Sequence, residues 1–332
     1  MAGNLRSRWT TAAVMVLTAG VLAPQPAHAQ RAEGSFQRTL TVSGSADVDV
    51  VSGSGSIEVR QETAGRVEIS GRIHANDGWG GRRSRLSAGE RVRQLEANPP
   101  VEQRGNTVRI GYIAPEELRD GVSVSYVVTV PPGATLRTDT GSGSQEIDVD
   151  GSVEAHSGSG SLNIRRAGGL RASTGSGGVT ADTITGTFHA TTGSGSIRIT
   201  SAAGPVTAKS GSGGIEITQT GRGDVAVSSN SGTVRVRGVR GGVDASTSSG
   251  GLHIAGEMTA DWRLSASSGH VTVDLPRGQR FDLDANSNSG RIELDFPVTV
   301  TGRVERRSIR GPVGGGGPLL RVRTSSGGIS IQ

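Results

Sequence analysis

The chain repeats a short Gly/Ser-rich stretch that is followed each time by an apolar pair, and this repetition limits its possible folds more than any other feature. The stretch "TTGSGSIRIT" at 191–200 recurs as "HSGSGSLNIR" from His156, "STGSGGVTAD" from Ser173 and "KSGSGGIEIT" from Lys209. Ten copies align when the first apolar residue after the stretch is placed at position zero. Every copy then has Ser at position −3 and Gly at position −2.

Apolar residues alternate on both sides of each Gly/Ser stretch. In the copy centred on Ile197, the next apolar position is Ile199, and Phe188 and Ala190 occupy positions −9 and −7. The same four positions are apolar in all ten copies. Alternation with a period of two is typical of a strand with one buried face. Each copy therefore predicts two short strands joined by a small-residue corner.

The copies recur at intervals of 17 to 21 residues between Leu162 and Ile292, and the interval is 18 or 19 in most cases. A unit of this size cannot bury its own apolar face, so neighbouring units must cover it. We therefore predict an all-β, single-stranded β-solenoid with coils of roughly 18 residues, in which consecutive copies stack with like positions about 4.8 Å apart. A twisted or sandwich-like β fold, built from hairpins, is the alternative.

The Gly/Ser stretches are interpreted as structural corners of this solenoid. Glycine at position −2 can adopt a positive φ or a tight bend without a side-chain penalty, and small neighbours let corners stack. Serine hydroxyls in such a column can bond to each other or to the backbone. The corner residues of the six central copies are Ser159, Gly160, Ser176, Gly177, Ser194, Gly195, Ser212, Gly213, Ser231, Gly232, Ser249 and Gly250.

The N-terminal third departs from the repeat. Ser87 and Glu90 form a capping-box pattern, Val92 and Leu95 share a helical face with Ala88, and two prolines follow from Pro99. This predicts a short inserted helix at about 87–97. Near Gly141 the corner is interpreted as carrying two extra residues, which places Ile147 out of frame, and 295–319 is expected to hold a degenerate coil or a cap.

The first residues are typical of a secretory signal peptide. Arg6 and Arg8 precede an apolar run at 11–23, and Ala27-His28-Ala29 provides a small-residue cleavage site. We predict a signal peptide at 1–29, an irregular β region with the inserted helix at 30–135, and solenoid repeats at 136–332 that continue from it. The product is expected in the periplasm, on the cell surface or outside the cell, with no membrane span after cleavage.

Known catalytic and cofactor patterns are poorly matched. The Gly/Ser stretches lead into strands, whereas a phosphate loop leads into a helix. No cysteine is present, and the histidines lack acids at ligand spacing. We therefore expect no enzyme activity, no cofactor and no metal. Asp148, Asp282 or Asp284 could serve a polysaccharide-active β-helix enzyme, which remains an alternative.

Arginine accounts for all but one of the 35 basic residues, the exception being Lys209, and the net charge is +5. Arginine forks suit phosphate and carboxylate groups. The candidate contacts with an anionic partner are Arg303, Arg306, Arg307 and Arg310. Nucleic acid is not an expected partner, because only 3% of the residues are aromatic and could stack on bases. The tripeptide Arg222-Gly223-Asp224 matches an integrin ligand, but a chain rich in Arg and Gly also produces it by chance.

Four segments together resemble a bacterial family of candidate adhesins of unknown function, also called the toastrack domain. They are the repeated "TGSGS" corners, "SAGERVRQLEANPPVEQRGNTVRI" from Ser87, "VSYVVTVPPGATLRTDTGSGS" from Val124 and "GPLLRVRTSSGGISIQ" from Gly317. The resemblance runs from about residue 36 onward. It implies a β-solenoid exported to the envelope or surface, associated in some members with membrane-stress sensing, and without established catalytic residues.

The function hypotheses follow from the repeat, the export signal and the resemblance. We expect an exported, non-catalytic structural or binding module, adhesin-like or associated with the envelope. Its partner would be an envelope polymer, a cell surface or a membrane protein. An envelope-stress partner that docks on a membrane protein through the arginine cluster is a further alternative.

Overall fold

The structure is a computed structural model that describes residues 31–62, 65–77, 85–299 and 307–332. The predicted signal peptide at 1–29 lies outside these residues, as do Arg303 and Arg306. The described residues form 26 strands and two helices. They confirm the all-β solenoid with a short helix in the N-terminal third.

The N-terminal elements include both helices and the first seven strands. They are β1 (Arg31–Thr41), β2 (Asp47–Ser52), β3 (Ile57–Gln61), β4 (Arg66–Asn76), α1 (Ala88–Ala97), β5 (Val101–Arg104), β6 (Thr107–Ile110), α2 (Glu116–Arg119) and β7 (Val122–Val130).

The central coils contain twelve consecutive strands. They are β8 (Thr135–Thr140), β9 (Gln145–Asp148), β10 (Ser152–Ser157), β11 (Leu162–Ala167), β12 (Gly169–Thr174), β13 (Val179–Ile184), β14 (Phe188–Thr192), β15 (Ile197–Ala202), β16 (Val206–Ser210), β17 (Ile215–Gln219), β18 (Val225–Ser229) and β19 (Val234–Thr247).

The C-terminal part contains the last seven strands. They are β20 (Leu252–Ala266), β21 (Val271–Asp274), β22 (Phe281–Ser287), β23 (Ile292–Leu294), β24 (Ser308–Val313), β25 (Leu319–Thr324) and β26 (Ile329–Ile331).

Each coil places one strand on a first face and, after the corner, one strand on a second face. The strand order on the first face is β6, β2, β8, β10, β12, β14, β16 and β18. The strand order on the second face is β7, β3, β9, β11, β13, β15 and β17. Neighbouring strands within these runs are parallel. Strands β19 and β20 each continue from the second face of one coil into the first face of the next.

The predicted apolar columns form the core between the two faces. Ile197 and Ile215 are in register on neighbouring strands, and each is 1% exposed. Phe188 and Val206 form the matching pair on the first face. Because each coil covers the apolar side chains of the next, the stack has one continuous interior.

Close backbone approach, and not a positive φ, explains the glycine at position −2. None of the six predicted corner glycines has a positive φ, so the first of the two conformations considered for them is not the one they adopt. A Cβ placed on Gly213 would lie 1.9 Å from the carbonyl oxygen of Gly195 in the preceding coil. The same close approach, 1.9 Å to Gly177, occurs at Gly195. Only a residue without a side chain fits, because consecutive corners are packed at backbone contact.

The corner hydroxyls that bond to the backbone lie at position −5, which the sequence reasoning missed. In the copy centred on Ile197, the N–H of Gly195 donates to Thr192 Oγ1 at 3.0 Å, and this hydroxyl donates to Gly177 O in the preceding coil at 2.9 Å. Nine of the ten copies have Ser or Thr here, and Ala266 occupies the tenth. In the central copies from Thr174 to Thr247, these hydroxyls link each corner to the one before it.

We expect Thr192→Val to lower the free energy of unfolding by about 1–3 kcal/mol, because a similarly shaped side chain leaves Gly195 N–H and Gly177 C=O without a partner. Thermal unfolding followed by circular dichroism measures the change. The matched control is Thr191→Val on the outward side of the same strand, which we expect to stay within about 0.5 kcal/mol of the parent protein. Equal melting temperatures for the two variants would contradict the role of the buried hydroxyl.

The coil after Gly141 is in frame, which corrects the expected two-residue insertion. Gln145 pairs with Leu162 and with Ile57, so it occupies position zero, and Ile147 occupies position +2. Gln145 is fully buried, and its amide donates to His156 O at 2.6 Å. A polar residue at an inward position concealed this copy in the sequence.

The C-terminal coils do not stack in chain order, contrary to the expectation for consecutive copies. Leu320 in β25 pairs with Trp262 on one side and with Leu283 on the other. Ile329 in β26 likewise pairs with both Val271 and Ile292. The coil at 319–331 therefore lies between two coils that precede it in the chain. Strand β24 pairs antiparallel with β22 and covers the outer edge of the first face.

The inserted helix begins where the capping box predicts. Ser87 is the N-cap residue, and its Oγ accepts a hydrogen bond from Glu90 N at 3.2 Å. Helix α1 packs on β1 and β4, two antiparallel strands that extend the second face at its N-terminal end. Arg91 is 2% exposed and anchors the helix through Asp77 Oδ1 at 2.7 Å and the carbonyl oxygens of Asn76 and Asp120.

Candidate functional site

A groove of about 590 Å³ lies on the outside of the first face, near its N-terminal end. It is formed by outward side chains of β6, β2, β8, β10, β12 and the start of β14. Because these strands are parallel and in register, residues far apart in the sequence form straight rows across the groove.

One such row is a ladder of alternating charge that crosses seven strands. Side chains in register, from the N-terminal end inward, are Glu102, Arg109, Asp49, Arg137, Glu154, Arg171 and His189. Arg137 Nη2 lies 3.6 Å from Glu154 Oε2, and Arg109 Nε lies 3.9 Å from Asp49 Oδ2. Opposite charges on adjacent strands favour this register over a shifted one. We call this row the charge ladder.

The inner end of the charge ladder is cationic. Arg171 forms no ion pair with any carboxylate in the described part of the chain, and the next residue in the row is His189. Lys209 projects from the neighbouring strand in register with Thr191. Burial first, and then the positive charges of Arg171 and Lys209, hold the pKa of His189 below its ordinary value. The exposed side chains of Arg171 and Lys209 therefore create a positive potential around the half-buried His189.

At the outer end of the charge ladder, the charged side chains are engaged by contacts within the protein. Tyr112 O–H donates to Asp49 Oδ2 at 2.6 Å, and the Arg109 guanidinium lies 3.9 Å above the Tyr112 ring. These contacts engage Asp49 through Oδ2 and Arg109 through Asp49 and the Tyr112 ring, while Asp49 Oδ1 is buried without a partner among the described residues. The free capacity for an anionic ligand is consequently concentrated at Arg171 and His189.

The predicted corner residues lie together along one edge of the stack, away from the charge ladder. The six serines at position −3 are exposed, and the six glycines at position −2 are buried or half-buried. Their close backbone contacts give them a structural role at this edge.

The predicted arginine cluster is only partly within the described residues. Arg307 is exposed, whereas Arg310 Nε donates to Asp284 Oδ1 at 2.8 Å. Arg323 Nη2 reaches Oδ2 of the same aspartate at 2.7 Å. Arg310 therefore closes the C-terminal coil through Asp284 and is not free to hold an anion in this arrangement.

The three candidate acids for a glycosidase lie at two separate places on the stack. Asp148 lies on β9 and contacts Arg166 Nε at 3.2 Å, while Asp282 and Asp284 lie on β22 near the opposite end of the stack. Burial raises the pKa of Asp284, but the hydrogen bond from Arg310 and the charges of Arg323 and Arg310 outweigh it and lower the pKa overall. An acid held ionised in this way is a poor proton donor.

The Arg-Gly-Asp tripeptide has a structural role within the fold. Asp224 of this tripeptide accepts a hydrogen bond from Gly242 N at 2.7 Å, which links two coils.

The described residues contain no group of three or more metal-ligating side chains. No helix in the described ranges is both long enough and apolar enough to cross a membrane.

The family model described as Toastrack DUF4097 matches residues 120–332, more than half of the chain. Among solved structures, a candidate adhesin from Bacteroides fragilis is 12% identical, with a TM-score of 0.32, over 90% of this chain and 97% of its own. A candidate adhesin from Parabacteroides distasonis is 8% identical, with a TM-score of 0.33 and the same coverage. No curated protein matches the chain.

Proposed function

The chain belongs to the Toastrack DUF4097 family, and we propose that it is an exported binding module that holds an anionic envelope polymer along the charge ladder without acting on it chemically. The polymer class is an acidic polysaccharide, whose carboxylates would bind at the cationic end of the groove. The signal-peptide pattern with Arg6, Arg8 and Ala29 supports export.

The observation that carries the proposal is the unpaired Arg171 beside His189. A guanidinium offers a fork of donors that matches a carboxylate, and at Arg171 no described carboxylate uses it. His189 and Lys209 add donors one and two strands further along the stack. Arg171 and His189 lie in one row on adjacent strands, about 4.8 Å apart, and Lys209 lies beside this row on the next strand, so an extended acidic chain could contact several of these donors.

The contacts between the candidate acids and arginine side chains support the non-catalytic part of the proposal. Asp148 and Asp284 lie in different coils, and each is engaged by arginine. Hydrolysis of a glycosidic bond needs two carboxyl groups on either side of it, one of them able to donate a proton. The contacts of Asp284 with Arg310 and Arg323 hold this acid ionised, which does not suit the proton-donor role.

We expect the protein to bind polygalacturonate in isothermal titration calorimetry, and Arg171→Gln to weaken binding about tenfold, which corresponds to about 1.4 kcal/mol. The loss follows from removing the one free guanidinium in the groove. Arg235→Gln, an exposed arginine on the second face, is the matched control and should keep the parent affinity. Binding should also weaken with added salt, because exposed charges are screened.

The pH dependence of the affinity tests the role of His189 in the same experiment. As the pH falls below the ordinary histidine range, His189 gains a charge, so affinity should rise, and His189→Gln should remove this rise. Equal affinity for neutral dextran, or an unchanged affinity in Arg171→Gln, would contradict the proposal. Release of shortened products from the polysaccharide would contradict the non-catalytic assignment.

A further inference from the structure

A second cavity, of about 450 Å³, lies at the N-terminal end of the stack and is separate from the cationic end of the groove. It is enclosed by the corner after β2, the segment from Gly111 to α2, and the start of β7. Its volume falls within the range of about 300–1,000 Å³ that is usual for small-molecule sites.

The cavity exists because one corner lacks a neighbouring corner on one side. On the inner side, Gly141 N donates to Ser52 O at 3.1 Å and Ser142 N donates to Gly53 O at 3.2 Å, as between other coils. On the outer side, β6 does not lead into a corner. The chain turns away at Gly111, which has a φ of 88°, and continues to α2. The first half of the corner thus faces a cavity where the next coil would otherwise lie.

A buried hydroxyl without a partner lies in the wall of this cavity. Tyr126 pairs with Ile57, so it occupies an inward position, and it is 1% exposed. Its hydroxyl has no hydrogen-bond partner among the described residues and lies beneath Gly111, where a Cβ would be 3.2 Å from it. Burial raises the pKa of Tyr126, so the hydroxyl is neutral and can both donate and accept. A phenylalanine would fill the same space without the cost of an unpaired buried hydroxyl.

The remaining lining residues define the chemistry of a ligand. The wall is apolar, with Val51, Ile113, Val122 and Val124. Arg119, at the end of α2, is exposed on the rim and forms no ion pair with any described carboxylate. An apolar wall, one deep hydroxyl and one cation at the rim together match an amphiphile with an anionic head.

We propose that this cavity, which we call the Tyr126 cavity, binds a small amphiphile whose apolar tail packs on the valine wall and whose anionic head binds Arg119. A polar atom of the ligand completes the hydrogen bonding of the Tyr126 hydroxyl. This inference does not depend on the cationic end of the charge ladder, because Tyr126 and Arg119 are not part of the ladder and the ligand class is different. The cavity and the ladder share only the outer end of the ladder, at Glu102. Carboxylate and phosphate heads share the required charge and are distinguished by experiment.

The test uses the whole exported protein with decanoate, decyl phosphate and decanol, each kept below its micelle concentration, and calorimetry as the measurement. We expect both anions to bind and decanol to bind about tenfold more weakly, because it lacks the head charge. The tighter of the two anions identifies the head group. Arg119→Gln should weaken anion binding about tenfold, and Arg235→Gln is the matched control that should not.

Tyr126→Phe separates the ligand role from a structural role. Without ligand, this variant should melt at the same temperature as the parent protein or higher, because only an unpaired hydroxyl is removed. With decanoate, it should lose about five- to tenfold in affinity. Glu102→Gln should strengthen binding about twofold, because it removes a negative charge from the rim. Equal binding of decanol and decanoate, no binding of any of the three, or full affinity in both Tyr126→Phe and Arg119→Gln would overturn the proposal.

Discussion

Replacing Gly213 with alanine is expected to disrupt the central coils, with a loss of at least about 3 kcal/mol in the free energy of unfolding. The new Cβ would lie 1.9 Å from the carbonyl oxygen of Gly195, and that neighbour is backbone, which cannot rotate away. Overpacking in a close-packed interior commonly costs about 1–3 kcal/mol, and here a whole coil would have to move apart from the next. Urea unfolding followed by circular dichroism measures the loss.

Gly89→Ala is the matched control for this substitution. Gly89 lies in α1, is exposed, and a Cβ there would meet no atom within 4 Å. Since alanine favours the helix over glycine, this variant should be as stable as the parent protein or more stable by up to about 1 kcal/mol. If Gly213→Ala were equally well tolerated, the corners could not be packed at backbone contact.

Deleting residues 319–332 is expected to unfold both C-terminal coils while the central coils remain folded. The deleted coil pairs with β20 and β21 on one side and with β22 and β23 on the other, so its removal takes both neighbours' hydrogen bonds. Trp262 and Leu283 would lose the cover of Leu320. Amide hydrogen exchange should show lost protection at 281–294 and retained protection at 152–236, because repeat units depend mainly on their nearest neighbours.

The control for the deletion is addition of a synthetic peptide of residues 319–332, which should restore protection at 281–294. A competing outcome has a clear physical basis. The coil of Leu283 could move onto the coil of Trp262, since both follow the same repeat pattern. Retained protection at 281–294 in the deletion variant would show that this sequential stacking is available, and that the inserted coil is not required.

The repeat predicted the solenoid because period and burial are encoded locally. Alternation around Ile197 and Ile215 defines which side chains point inward, and the structure places these two in register. The inserted helix was predictable for the same reason, since the N-cap Ser87 and the face of Val92 and Leu95 lie within one short segment.

Coil order could not be read from the repeat. The copies that contain Leu283 and Leu320 present the same apolar pattern, so either could follow the coil of Trp262. The choice depends on the long connection between them and on strand β24, which covers only β22. The inward position of Gln145 could not be predicted for a different reason. The cost of burying its amide is offset by hydrogen bonds with Thr138 and with His156 O, and only the fold brings these partners close.

The candidate site depends on register more than on motif. Asp49, Arg137 and Glu154 are unremarkable charges in the sequence, and only parallel pairing brings them into one row. Strictly regular alternation of inward positions could have found the row only if the sequence had shown that β2 stacks directly on β8, as it does in the structure. The insertion at 62–134 concealed that neighbour relation.

The position of the 319–331 coil also affects how the chain can reach its native state. Residues 281–294 leave the ribosome before 319–331, yet their strands pair through the later segment. Domains usually acquire structure from the N-terminal side during synthesis. In this protein the native stack can form in chain order only as far as Asp274, and the coil at 281–294 reaches its native place once the strands of 319–331 are available.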